Sequence, residues 1–271
     1  MPDFHHHSKS DPTKKLRGHF STFFYLAGIF LIALIVQILS IAKGDSLVFP
    51  RVTEILKSFF YLLSKAETFH LIFTTLLHLF ISLLISSLAG LSLGLFEGFC
   101  EPVYKIFRPV MTFLRSIPII VLVVIIMVLT KYEKVPFIAT SLILIPMISE
   151  ATSQGCRQLK KDQAELIDVY RLFSNFSFQI LISVYMPLIA GYLKQAYINA
   201  VGMGIKIVVT TEYLVQTKDS LGKAVNTSIY FNDYSEIYAY ALIMVLLVLL
   251  LTETPKLVKV TVDKIVGHTS R

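Results

Sequence analysis

Charged residues are scarce in this 271-residue chain, in which 16% of residues are Asp, Glu, Lys or Arg and 55% are hydrophobic. A soluble helical protein needs a polar face on its surface helices, and long stretches of this chain cannot supply one. The sequence also lacks a Walker-type glycine loop, a Gly-x-Ser-x-Gly elbow and a His-Glu-x-x-His motif. We therefore predict a non-catalytic integral membrane protein that does not hydrolyse ATP itself.

Metal ligands and disulfide partners are also few. The spacing of the two cysteines, Cys100 and Cys156, suggests no metal site, and the cytoplasmic position predicted for both requires no disulfide. His70 and His78 lie two turns apart on one predicted helix face, with no acid, cysteine or third ligand near them in the sequence. We expect both histidines to be packed or pore-facing and predict no metal site. The net charge of +7 is dispersed among apolar runs and fits anionic lipid better than nucleic acid.

What the chain does have is long apolar runs, several of which can cross about 30 Å of hydrocarbon. We predict an all-α integral membrane protein with about six transmembrane helices, at 20–42, 71–95, 109–130, 135–151, 188–210 and 235–252. The third helix joins residues 109–115 to the apolar run that follows them. The predicted domains are an N-terminal tail (1–19), a transmembrane domain (20–255) and a C-terminal tail (256–271).

Lysine and arginine indicate the orientation of these helices. Segments on the side of the chain ends hold fifteen Lys and Arg residues, whereas the loops on the other side hold eight. This excess predicts that both termini are cytoplasmic. It also places a polar stretch at about 155–187 in the cytoplasm.

That polar stretch has the pattern of two helices joined by a turn. On a helix over 159–173, four apolar residues form one stripe at i, i+3, i+4 and i+7: Leu166, Val169, Tyr170 and Phe173. Ser174 and Asn175 suit a helix end followed by a new start, and a second helix from about Phe176 stops at Pro187. The stripe needs a covering surface, which periodicity alone leaves open among the protein's own helices, a partner and the lipid surface.

The same stretch resembles the "EAA" loop of bacterial ABC importer permeases, in which Glu-Ala-Ala is followed at fixed distances by Gly, Ile and Leu-Pro. That frame falls on Asp168-Val169-Tyr170, Ser174, Val184 and Met186-Pro187, with the spacing kept throughout. Tyr170 replaces a methyl side chain with a ring, and Ser174 lacks the freedom of glycine at positive φ. Asn175 is the residue that can take over the left-handed position.

Further blocks resemble the same family in the same order. Arg115-x-x-Pro118 precedes an apolar run, and residues 145–159 are similar to the segment that leads into the loop. Glu212 followed by Ser220-Leu221-Gly222 resembles a pair of blocks in the nitrate/sulfonate/taurine-type branch. Together the blocks cover roughly residues 110–255.

The resemblance implies a type I ABC importer permease fold with a cytoplasmic coupling helix, in the bacterial inner membrane. It implies a second permease copy in a homodimer, two cytoplasmic ATPase subunits that bind ATP-Mg, and an extracytoplasmic substrate-binding protein. The permease itself would bind no cofactor. Twelve residues are assigned to ATPase coupling: Glu165, Leu166, Asp168, Val169, Tyr170, Arg171, Phe173, Ser174, Asn175, Val184, Met186 and Pro187.

Candidates for the translocation path are polar groups within or beside the predicted helices, since such groups are costly in a membrane. They are Arg115, Pro118, Lys194, Asn199 and Glu212. The alternative interpretation favours Lys194 reaching the cytoplasmic interface and Glu212 lying outside, whereas Asn199 needs a partner in either case. Gly202 and Gly204 are expected to permit close helix contact. Lys194 and Lys206 favour an anionic substrate.

Two other classes of protein compete with an ABC permease. A stand-alone secondary transporter or channel would use intramembrane carboxylates for ion coupling, and every Glu in the predicted helices lies near an end. A membrane enzyme would need paired catalytic groups, and the sequence presents none.

Overall fold

The structure is a computed structural model that describes residues 27–28, 30–42, 48–162 and 185–269. Within this part of the chain, every regular element is a helix, and no residue lies in a strand or bridge. The elements are α1 (Phe30–Ala42), α2 (Val52–Ser64), α3 (Ala66–Phe99), α4 (Glu101–Ser116), α5 (Ile119–Leu129), a 3-10 turn (Tyr132–Lys134), α6 (Val135–Asp162), α7 (Met186–Val215), α8 (Leu221–Tyr230) and α9 (Tyr234–Thr269). The all-α prediction is confirmed.

Four of the described helices are long and apolar enough to cross a membrane: Ala66–Phe99, Tyr132–Leu159, Met186–Val215 and Tyr234–Thr252. A fifth span arises if α4 and α5 are counted together, although they are bent by 102°. The six predicted helices therefore become four or five in the described residues. The first predicted span, 20–42, lies partly outside them, and its described helix α1 is too short to count alone.

The span predicted over 109–130 is not one continuous helix, because the chain bends between α4 and α5. Ile117 has extended dihedrals (φ −68°, ψ 128°), and Pro118 caps the start of α5. Proline disfavours the helical region for the residue before it and has no N–H to continue a helical ladder. An apolar run that looks continuous is thus divided into an amphipathic helix and a wholly apolar one.

Most of the polar stretch predicted at 155–187 lies outside the described residues, and only its two ends are described. Residues 155–162 continue α6, and Pro187 lies in the first turn of α7. Proline is tolerated there because the first helical N–H groups have no partner within the helix. At the other end of the chain, α9 runs on to Thr269, so most of the predicted C-terminal tail is helical.

Helices α3 and α6 pack closely through small residues. Gly90, Gly94 and Gly98 recur every four residues on α3, and a Cβ at Gly94 would lie 2.5 Å from the carbonyl oxygen of Ser149. One turn before Gly90 on the same helix, the Ser86 hydroxyl donates a hydrogen bond to the Ser141 carbonyl at 3.3 Å. Small residues allow helix backbones to approach in a membrane, where burial of apolar area between helices drives little association.

Helix α7 contributes residues to two apolar clusters of the core. Ile205 and Val208 pack with residues of α3, α8 and α9, whereas Ala200 and Ile207 pack with α5 and α6. Gly204 is buried, and a Cβ there would lie 2.6 Å from Leu79. This central position places the polar side chains of α7 against several helices at once.

Candidate functional site

A cavity of about 710 Å³ lies between the end of α4, the middle of α6 and the first half of α7. Two of the predicted path residues, Arg115 and Asn199, line it. The remaining lining residues are Ile143, Met147, Glu150, Ala151, Gln154, Leu188, Gly191, Tyr192, Gln195, Ala196 and Met203. The lining is therefore mostly apolar, with amides, a phenol and one pair of opposite charges.

That pair of charges holds α4 to α6. The guanidinium of Arg115 forms an ion pair with Glu150 and donates a hydrogen bond to the Pro146 carbonyl at 3.0 Å. Glu150 also accepts a hydrogen bond from Gln154 Nε2 at 2.8 Å. The two charged side chains are 40% and 43% exposed, so each remains accessible from the cavity while its charge is matched.

Asn199 obtains its partner from its own helix. Its Oδ1 accepts a hydrogen bond from Gln195 Nε2 at 3.1 Å, one turn earlier on α7. Both amides are exposed and line the cavity. The amide of Asn199 is thus not needed to hold a neighbouring helix, which leaves it available to a solute.

The other predicted path residues lie away from this cavity. Pro118 is exposed at the start of α5, and Lys194 is exposed on α7 but does not line the cavity. Lys206, which contributed to the expectation of an anionic substrate, is also exposed and outside the lining.

Glu212 is fully buried near the end of α7, which corrects the interpretation that it lies outside. Its Oε2 accepts hydrogen bonds from Thr75 Oγ1 at 2.9 Å and from the Gly222 amide at 3.2 Å. Its Oε1 lies 2.6 Å from Nδ1 of His78. A buried carboxyl group is costly unless it is hydrogen-bonded, and this one has a hydroxyl, a backbone amide and an imidazole nitrogen within hydrogen-bond distance.

This Glu212 network joins three helices. Thr75 and His78 belong to α3, and Gly222 belongs to the first turn of α8. Thr75 Oγ1 also accepts a hydrogen bond from the Leu221 amide at 3.0 Å. A Cβ at Gly222 would lie 2.5 Å from the Glu212 Cβ, so only glycine permits this approach. The glutamate and the Ser-Leu-Gly block that the sequence presents as separate motifs are therefore parts of one contact.

The sequence did not identify Thr75 or His78 as partners of Glu212, because they are 137 and 134 residues away from it. The two histidines that were expected to be packed or pore-facing have different surroundings: His70 is exposed, whereas His78 is buried and its ring lies edge-on against Phe137. The available signal was the resemblance of residues 212–222 to a family block, which named Glu212 but not its partners. Among the described residues, no group of three or more His, Cys, Asp or Glu could hold a metal.

A second polar cluster lies where α3, α4 and α6 meet. Glu97, predicted to lie near a helix end, is buried within α3 and accepts a hydrogen bond from Ser149 Oγ at 3.1 Å. Arg157 of α6 donates to the Glu97 carbonyl at 3.3 Å and lies 3.4 Å from a carboxylate oxygen of Glu101. Its guanidinium also lies 3.4 Å from the centre of the Tyr104 ring. Arg157 therefore fixes the last turns of α6 to α3 and α4.

Most of the predicted coupling residues lie outside the described residues: Glu165, Leu166, Asp168, Val169, Tyr170, Arg171, Phe173, Ser174, Asn175 and Val184. Met186 and Pro187 are described, in the first turn of α7. Along the chain, the predicted coupling segment lies between α6 and α7, the two helices that supply most of the cavity lining.

Comparison with a family profile and with solved structures gives matches, whereas comparison with curated proteins gives none. The sequence profile of the family described as "Binding-protein-dependent transport system inner membrane component" matches residues 86–258, well over half of the chain. No curated protein matches the chain. Among solved structures, a chain of the inward-facing MetNI methionine ABC transporter is similar, with a TM-score of 0.58 and 19% sequence identity. The match covers 74% of this chain and 95% of that chain, and it shows a shared fold.

Proposed function

Because this chain belongs to the family of binding-protein-dependent transport system inner membrane components, the permeases of ABC importers, we propose that its large cavity forms part of a solute path. The observation that carries the proposal is the position of the cavity, which is lined by α4, α6 and α7 within the matched residues 86–258. Its mixed lining suits a small solute that is held by hydrogen bonds and apolar contact together.

The charge on this lining does not support the anionic preference drawn from two lysines. Lys194 and Lys206 lie outside the lining, and the charge of Arg115 is matched by Glu150. We propose a small solute without a required negative charge. Membership of the nitrate/sulfonate/taurine-type branch stays a prediction from residues 212–222.

The coupling mechanism follows from the connection between α6 and α7. A movement of the segment between Asp162 and Met186 would act directly on two helices that line the cavity. We propose that residues Glu165–Asn175 contact a cytoplasmic ATPase, and that closure of two such subunits on ATP-Mg moves this segment. Arg157 would transmit the movement to α3 and α4 through Glu97 and Glu101.

The remaining partners are proposed from the family. A second permease copy would face the open side of the cavity, and a substrate-binding protein would deliver solute from outside. Both termini would be cytoplasmic, as the distribution of Lys and Arg predicts.

Charge reversal in the coupling segment tests this mechanism. Asp168→Lys, or deletion of residues 165–174, should reduce ATP-driven uptake at least about tenfold while the permease still inserts and remains folded, because contacts to the ATPase are lost. Uptake and ATP hydrolysis are measured together in proteoliposomes that contain the whole transporter. Glu133→Lys, an exposed charge reversal in the 3-10 turn, is the matched control and should transport normally. Wild-type uptake by both coupling variants would refute the assignment.

A secondary transporter is the second candidate, because the structure contains the buried carboxylates that such a mechanism uses. Glu97 and Glu212 are both buried within candidate membrane helices. However, Glu212 accepts hydrogen bonds from fixed donors on α3 and α8, which suits a structural role. Uptake that persists without ATP and stops when an ionophore dissipates the ion gradient would favour this candidate.

A further inference from the structure

Helix α4 has three distinct faces along its sixteen residues. At 100° per residue, one face packs against the protein, one is polar, and one is apolar but exposed. The packed face holds Val103, Tyr104, Phe107, Met111 and Leu114. The polar face holds Glu101, Lys105, Arg108, Thr112, Arg115 and Ser116. The exposed apolar face holds Pro102, Ile106, Pro109, Val110 and Phe113.

The exposed apolar face is continuous. Ile106, Val110 and Phe113 lie at i, i+4 and i+7 and are 67%, 48% and 64% exposed. No other described element covers them, since α4 contacts α3 and α6 through its packed and polar faces. A stripe of this kind beside a row of basic residues is the pattern of a helix that lies in the membrane interface.

The bend before α5 gives α4 the required orientation. Helix α5 is wholly apolar over residues 119–129, and we take it to point from the interface into the hydrocarbon. Since α4 is turned by 102° from it, α4 runs nearly parallel to the membrane surface. The apolar face can then point towards the acyl chains while the polar face remains at the level of the headgroups.

Lys105 and Arg108 supply the positive charge on this helix that is least compensated. Arg115 is paired with Glu150, and Lys105 is 3.9 Å from Glu101 in an exposed pair. Among the described residues, Arg108 forms no ion pair and contacts the Tyr104 ring at 5.6 Å. We propose that α4 is an interfacial helix that selects anionic phospholipid, with Ile106, Val110 and Phe113 among the acyl chains and Lys105 and Arg108 on lipid phosphates.

The absence of tryptophan from this sequence provides a direct test. Phe113→Trp places the only tryptophan of the chain on the proposed face, and Phe80→Trp places it on α3, where Phe80 is also 64% exposed. The full chain is reconstituted in bilayers that contain phosphatidylcholine and phosphatidylglycerol, of which one or the other carries brominated acyl chains. Fluorescence quenching then reports which lipid contacts each tryptophan.

In the Phe113→Trp protein, we expect the tryptophan to contact phosphatidylglycerol in preference to phosphatidylcholine by a factor of roughly five to thirty. Each basic residue near the surface contributes about a fivefold factor to this preference. Lys105→Gln with Arg108→Gln should bring this preference close to one, whereas Lys131→Gln with Lys134→Gln should not change it. High salt should also reduce it, because these charges are exposed. The Phe80→Trp protein should show no comparable preference.

Two outcomes would overturn the proposal. Equal quenching by both lipids at position 113, unchanged by loss of Lys105 and Arg108, would show that the helix does not select anionic lipid. Protection of position 113 from both lipids would show that another protein surface, such as a second copy, covers this face. The measurement does not depend on transport, so its failure would leave the proposed function unaffected.

Discussion

Replacement of Glu212 by alanine removes the acceptor that holds α3, α7 and α8 together. Three buried groups lose their partner: the Thr75 hydroxyl, the Gly222 amide and the His78 ring. A buried donor left without its acceptor costs about 1 to 3 kcal/mol, so the loss of an acceptor that several buried groups share costs about 3 to 5 kcal/mol. We expect Glu212→Ala to lower the free energy of unfolding by about this amount.

The same change should have a local effect at α8. The Gly222 amide donates directly to the carboxylate, and a hydrogen bond to a charged group contributes about 1.5 to 3 kcal/mol. Since about 1.4 kcal/mol corresponds to a factor of ten, hydrogen exchange at this amide should accelerate by roughly ten to a hundredfold. Exchange is measured by mass spectrometry on peptides that cover residues 216–230.

Two variants separate the role of the carboxylate from a general effect of truncation. Glu212→Gln keeps the side-chain volume and one acceptor for Gly222, so we expect a smaller loss than for alanine. Glu54→Ala removes an exposed carboxylate that accepts only the Arg51 amide at 2.8 Å, and it should cost about 1 kcal/mol or less.

Unfolding can be followed with a thiol-reactive dye in a Cys100→Ser background, because Cys156 is buried and Cys100 is exposed. If Glu212→Ala unfolds and exchanges like the wild-type protein, the Glu212 network does not hold α8 and our reasoning is wrong.

Other predictions concern helix packing and the cavity. Gly94→Val should destabilise the protein by about 1 to 3 kcal/mol or more, because a Cβ there would meet Ser149 and Thr152 at 2.5 Å, whereas Gly191→Ala has open space and should be neutral in thermal unfolding. Asn199→Leu should change the unfolding midpoint little, because its partner is on the same helix, yet it should alter the rate of solute uptake in proteoliposomes. Normal uptake by Asn199→Leu would place the path elsewhere.

The membrane class and most of the helices could be predicted from the sequence, because apolar length alone requires them. Ala66–Phe99 and Met186–Val215 each extend a predicted span by two to five residues at each end. The bend at Ile117-Pro118 was missed although Pro118 was identified, since the apolar run around it continues without interruption. Composition reports that a segment is apolar, but the conformation of one residue before a proline decides its direction.

The candidate site was predicted only in part, for a physical reason. Arg115 and Asn199 were identified because isolated polar groups in apolar helices are unusual, and both line the cavity. Glu150, Gln154 and Gln195 were not, since their place in the cavity depends on how α6 and α7 face each other. The partners of Glu212 depend in the same way on contacts between α3 and α7, which helix periodicity does not determine.

The central claim is that this permease works with a separate ATPase, and one measurement tests it most directly. The chain is purified from its native membrane under mild conditions, and the proteins that co-purify are identified and quantified. We expect an ATPase subunit at one copy per permease chain, with uptake that requires ATP. Reproducible absence of any ATPase, together with intact uptake driven by an ion gradient, would contradict the account.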